Sequence, residues 1–108
     1  ELETMKLNAY TIYDVASGVY MRPFFSQADG QAIRGFNDIA LDMNHEVGKH
    51  PEDYTLYRVG SFNDTTGKLE GEQLEKLTTG LEAVHTSRQV NQDKITALEL
   101  DIKEEANG

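Results

Sequence analysis

Apolar residues fall in short runs of strand formers at both ends of the aromatic-rich part of the chain, and at spacings of three and four between those runs and again toward the C-terminus. Lys6 to Tyr13 is rich in Tyr, Thr and Ile and holds no Gly or Pro, which predicts a strand. Asp14 to Gly18 reads as a turn closed by Ser17-Gly18. Val19 to Phe25 predicts a second strand, so the pair forms a hairpin. Pro23 has no N–H to donate, which places this strand at an edge or ends its pairing there. Ser26 then opens a helix, with Asp29 three residues on in a capping-box-like arrangement. Ala28, Ala32, Phe36, Ile39, Ala40 and Met43 recur at spacings of three and four, one apolar stripe on that helix. Gly30 and Gly35 weaken it by up to ~1 kcal/mol each relative to Ala. One of the two is expected to let the helix approach the sheet.

Asn44 to Asp53 is a polar loop, and Tyr54 to Phe62 predicts a third strand through Tyr54, Leu56, Tyr57, Val59 and Phe62. Asn63 to Lys68 is a turn, and Leu69 is the expected start of a short return strand. From Glu72 onward the pattern becomes helical. Leu74, Leu77, Leu81, Val84, Arg88, Asn91, Ile95, Leu98 and Ile102 alternate at spacings of three and four, a heptad seam with two polar interruptions. Gly80 and the weak helix formers Thr86, Ser87 and Arg88 leave two options, two helical segments or one helix with a soft middle. The seam packs on its own sheet or joins a partner helix.

These elements make an α+β fold: a small antiparallel sheet in ββαβ order, one packed helix, and an acidic amphipathic helical segment at the C-terminus. Met5 before a strand-like run reads as a natural start, and Glu1–Thr4 as a cloning remnant. Residues 5–69 are then an α+β body and 70–108 an acidic helical tail. The unpaired edges of so small a sheet predict a homodimer, across a strand edge or through the tail.

Charge sharpens this division. The 108 residues carry 10 Lys and Arg against 19 Asp and Glu, a net charge of -9. Residues 5–69 hold six basic and eight acidic side chains, whereas 70–108 hold four and nine. All nine aromatics lie between Tyr10 and Phe62. A chain this acidic is a poor generic nucleic-acid binder. The absence of cysteine excludes disulfides, thiolate metal sites and a thiol nucleophile. No apolar run approaches the ~20 residues that span a bilayer, and no signal-peptide pattern appears. The expected location is a reducing compartment.

No constellation supports catalysis, a metal or a cofactor. His45-Glu46 and His50 approach the zinc-protease helix motif, but those histidines are five apart, about 500° around a helix rather than ~400°. They read as exposed or capping side chains. The serines lack nucleophile-elbow glycines, Glu52 and Asp53 point to opposite sides of an extended segment, and no glycine pattern cradles phosphate. The expectation is a protein that is not an enzyme. One mixed surface stands out: Lys6, Tyr10, Tyr20, Arg22, Tyr57 and Arg58 interleave aromatic and basic residues on the predicted strands. Single-strand binders stack bases on aromatics and track phosphates with cations. The same aromatics also suit the core of a small sheet.

Lys49-His50-Pro51-Glu52-Asp53-Tyr54-Thr55-Leu56-Tyr57-Arg58-Val59-Gly60-Ser61-Phe62, followed by Gly67-Lys68-Leu69, carries a resemblance. Upstream stand Arg22-Pro23-Phe24, Asp29, Ala32, Arg34, Phe36 and Asp38. At this spacing the chain resembles the small nonstructural protein of gokushovirus-type microviruses, bacteriophages with circular single-stranded DNA genomes. The resemblance covers about residues 5 to 69. It implies a non-virion protein acting in the switch from duplex replication to single-strand synthesis and packaging, often labelled DNA-binding, with no catalytic residues attached. Two expectations follow. In the first, single-stranded DNA lies across the Tyr and Arg face, with Lys6, Arg22 and Arg58 on phosphates and the acidic tail covering that face in competition. In the second, the tail seam (Leu74, Leu77, Leu81, Val84, Ile95, Leu98 and Ile102) binds a replication or capsid protein and DNA is not touched.

Overall fold

The computed structural model describes residues 6–107, so Glu1–Thr4 and Met5 lie outside the described residues. Strand β1 runs Lys6–Asp14, β2 Val19–Tyr20 and β3 Phe24–Ser26. Helix α1 spans Asp29–Ala40, a short α2 spans Glu46–Lys49, and a single 3-10 turn covers Pro51–Asp53. Strands β4 (Tyr54–Asn63) and β5 (Leu69–Thr79) follow, then the long α3 (Gly80–Asn107). The sheet is antiparallel with order β2-β1-β4-β5, and β3 pairs with β1 as well. The α+β class is the one expected, with five strands where three and a short return were read.

The extra strands have simple causes. The expected second strand is split at Met21–Pro23, because Pro23 offers no N–H to the ladder. Its two pieces pair with β1 at Tyr13↔Tyr20 and Ala9↔Phe25. The return strand is eleven residues long and carries Leu74 and Leu77, which were read as helix. It pairs with β4 from Phe62↔Leu69 to Thr55↔Thr79, with irregularities around Val59 and Leu77. The helix begins only at Gly80, where Thr79 and Glu82 close a capping box. The Glu82 N–H donates to Thr79 Oγ1 at 3.0 Å, and the Thr79 N–H donates to Glu82 Oε2 at 3.3 Å.

Helix α1 covers one face of the sheet. Tyr10, Ile12, Tyr54 and Leu56 meet Ala32, Phe36 and Ala40 there, with Val47 of α2 and Ala83 of α3 completing the core. Two members of the expected α1 stripe fall outside it. Ala28 is the N-cap residue, and Met43 is 72% exposed beyond the helix end. Ser26 does not cap; its hydroxyl bonds the Gln31 side chain at 3.0 Å. Close approach comes from a different glycine than expected. A Cβ at Gly30 or Gly35 meets open space, whereas one at Gly80 would collide with the Pro51 backbone. Gly80 therefore lets the first turn of α3 seat against the 3-10 turn and α1. Beyond that turn α3 leaves the body, and residues 88–102 are exposed throughout.

Candidate nucleic-acid interface

The register of β1 and β4 sorts the six predicted DNA contacts. Tyr10 lies opposite Arg58, and Ile12 opposite Leu56, so all four share the α1 face. Tyr10 is fully buried there. Its hydroxyl donates to Asp29 Oδ1 at 2.8 Å, and Asn8 Nδ2 donates to the Tyr10 oxygen at 3.1 Å. Arg58 donates to Asp29 Oδ2 at 2.5 Å, and its other guanidinium nitrogen pairs with Glu75. The hydrogen bond to Asp29 holds the guanidinium above its ordinary value. Burial, ahead of the neighbouring carboxylate, pushes the Tyr10 phenol up. Tyr10 and Arg58 thus tie strand to helix, the Tyr10 ring buried and the Arg58 guanidinium taken up by Asp29 and Glu75. Lys6 is exposed, but it pairs opposite Asn63 at the far end of β1 on the α1 side of the pleat.

The opposite face gathers five of the nine aromatics. Alternation places Tyr13, Thr11, Ala9 and Leu7 of β1 there, with their partners Tyr20, Phe25, Tyr57 and Phe62. Tyr13 and Tyr20 have ring centroids 4.6 Å apart, Tyr20 and Tyr57 6.0 Å, and Phe25 and Phe62 5.7 Å. Tyr20 and Phe25 are nearly half exposed. Lys76 stands opposite Tyr57 on β5, and Arg22 is exposed on the segment joining β2 to β3. None of the paired residues on this face is acidic; Asp14, Glu70 and Glu75 pair on the α1 side. A groove of about 260 Å³ opens beside the Phe25–Phe62 pair, lined by Pro23, Phe25, Gly60, Leu69 and Gly71, with Glu70 at its wall. Gly60 shapes its floor, because a Cβ there would strike the Glu70 carbonyl as β5 passes.

Of the predicted set, Tyr20 and Tyr57 come together, and Arg22 is exposed two residues after Tyr20. Tyr13, Phe25, Phe62 and Lys76 were missed. Period-two alternation across paired strands would have placed Tyr13 with Tyr20; Lys76 was hidden by the helical reading of its segment. Among the described residues the acidic helix does not cover this face. Helix α3 contacts α1, residues 51–53 and β5, and runs outward from there.

The histidines behave as structural side chains. His45 Nδ1 accepts the Val47 N–H at 3.1 Å and caps α2. His50, Glu52 and Asp53 bring three donor atoms within 4.8 Å of one another. His50 Nδ1 and Glu52 Oε1 lie 3.8 Å apart across the proline-led turn, and both side chains are exposed. Among the described residues no helix is long and apolar enough to cross a membrane.

A family model for the phage ORF5 protein matches residues 7–83. The chain belongs to the phage ORF5 protein family. The match runs from β1 to the first turn of α3, so it includes the sheet, the Tyr10–Asp29–Arg58 cluster, the aromatic face and the Gly80 seat. It also extends past the expected boundary at residue 69 and takes in all of β5. No curated protein and no solved structure matches the chain.

Proposed function

We propose that this phage protein is the nonstructural protein of a gokushovirus-type microvirus, and that it binds single-stranded DNA on the aromatic face during the switch to single-strand synthesis and packaging. The observation that carries the reading is an aromatic face whose strand-paired residues include no acid, on a chain with net charge -9. Phosphate repels carboxylate, so a nucleic acid can approach this protein only where the acids are absent. Tyr13, Tyr20 and Tyr57 give a stacking platform, and stacking is worth about 1–3 kcal/mol per base. Arg22 and Lys76 flank it and take the phosphates. With so few cations, stacking supplies most of the affinity and the salt dependence is shallow.

Fluorescence anisotropy with labelled oligothymidylate and with duplex DNA tests this on the full chain. Single strands bind, duplex binds less well, and Tyr20→Ala and Tyr57→Ala each weaken binding about tenfold, in line with the loss of one stacked base. Absence of single-strand binding at low salt would sink the reading. A second reading, an acidic module for a replication or capsid protein, draws on one observation, the exposed apolar residues of α3. It predicts that such a partner is lost when Ile95 and Leu98 are changed to Asp while the aromatic face is intact.

A further inference from the structure

The seam on α3 stays open to water where the helix has left the body. Ile95 is 49% exposed, Leu98 63% and Ile102 66%. Three large side chains on one stripe of a projecting helix are surface that another helix can bury. We propose that α3 pairs with α3 of a second copy as a parallel, in-register, two-stranded coiled coil over residues 88–102. The pairing is independent of DNA binding.

The heptad assignment places Leu81, Arg88, Ile95 and Ile102 at a, and Val84, Asn91 and Leu98 at d. Branched Ile at a with Leu at d favours two strands over three or four. Asn91 sets the register. In a parallel pair with no offset its amide meets Asn91 of the partner subunit, and each satisfies the other. An offset of one heptad puts it against Leu98 of the partner subunit and leaves a buried amide unpaired. An antiparallel pair that brings Ile95 onto Leu98 of the partner subunit sets Asn91 against Ile102 of the partner subunit, with the same penalty. Arg88 lays its stem along the seam and carries its charge out to water. Its layer lowers stability, so the dimer is concentration-dependent.

The flanking charges agree with the parallel arrangement. Ser87, Lys94 and Asp101 occupy g, and Gln92 and Glu99 occupy e. In a parallel coil each g residue faces the e residue five positions on in the other chain. Lys94 then meets Glu99 of the partner subunit, twice per dimer by symmetry, and Ser87 meets Gln92 of the partner subunit. No like charges face one another at these positions. Both bodies lie at the same end of the coil.

Sedimentation velocity on the full chain over a concentration series tests the pairing. A monomer–dimer equilibrium is expected, and I95D/L98D is expected to be monomeric with an unchanged tyrosine near-UV spectrum, because both side chains are exposed. A monomer at every concentration, or a dimer that survives I95D/L98D, overturns the proposal. E99K is expected to raise the dissociation constant roughly tenfold and K94E/E99K to restore it; no effect of E99K overturns the register. The chain has no cysteine, so a single one reports direction. R88C is expected to oxidise to a disulfide-linked dimer much faster than T96C, which points away from the seam. Equal rates overturn the parallel arrangement.

Discussion

Arg58 on β4 and Asp29 at the start of α1 are 29 residues apart in sequence and 2.5 Å apart in space. The pair fixes where the helix lies on the sheet, because Asp29 also accepts the buried Tyr10 hydroxyl from β1. One carboxylate therefore holds two neighbouring strands and the helix that crosses them. Its removal leaves the Tyr10 hydroxyl and the Arg58 guanidinium short of an acceptor. Asp29→Ala is expected to cost about 1–3 kcal/mol, since unsatisfied partners lose more than the bond itself. Urea denaturation measures it. Arg58→Met should couple to it: the double variant is expected to lose less than the two single losses added together.

Two classes of glycine separate cleanly in α1 and α3. Gly30 and Gly35 are exposed within a helix, with open space where a Cβ would stand. Alanine at either position is expected to stabilise by about 0.5–1 kcal/mol through helix propensity. Gly80 is also helical, yet its Cβ would meet the Pro51 backbone, which has no flexible end to move aside. Gly80→Ala is expected to destabilise despite its better propensity. Thermal melts of the three variants check the opposite signs; a change near 1 kcal/mol corresponds to roughly 4–8 °C in a domain of this size.

Burial raises the phenols of Tyr10 and Tyr54 above their ordinary value of 10.0; at Tyr54 the nearby Asp14, Glu46 and Asp53 add to it. Between the unfolded and folded values the native state holds more protons than the unfolded chain, so stability falls as pH rises. The contribution is complete below the unfolded value and disappears as pH passes the folded one. Denaturant midpoints are therefore expected to drop above about pH 10. Tyr10→Phe, which keeps the ring and removes the ionisable hydroxyl, is expected to make that drop shallower.

The first strand and the strand from Tyr54 were legible from their runs of aromatic and β-branched residues, the turn from Ser17-Gly18, and the helix from the stripe through Ala32, Phe36 and Ala40. The segment after Leu69 was not, and Leu74, Leu77 and Leu81 show why. Their spacing of three and four fits a helix, but Leu74 and Leu77 lie in a strand whose pairing with β4 shifts near both residues. The decisive local signal was Thr79-Gly80-Leu81-Glu82, a capping box that starts the helix eight residues later than the seam suggested. The site was half legible for a related reason. Interleaved Tyr and Arg mark a face only once pairing shows which side each residue takes. Pairing turned Tyr10 and Arg58 inward to Asp29 and brought Tyr13 and Lys76 to the other face. A truncation at residue 69 would accordingly remove an edge strand along with the acidic helix.

The same sorting predicts how the cations divide in a salt titration of single-strand binding. Each lysine or arginine that meets a phosphate releases counterions, and its loss lowers the logarithmic salt slope by roughly 0.7 for a single strand. Arg22 and Lys76 flank the aromatic face, so Arg22→Met and Lys76→Met are each expected to reduce the slope by about that amount. Arg58 is held by Asp29 and Glu75 on the far side of the sheet. Arg58→Met is expected to lower stability while leaving the slope unchanged at temperatures where the variant is folded. Lys6, at the distant end of β1, is expected to leave it unchanged too. Anisotropy titrations of the four variants at several salt concentrations measure all four slopes. A slope that moves with Arg58 and Lys6 but not with Arg22 and Lys76 would transfer the interface to the α1 side of the sheet.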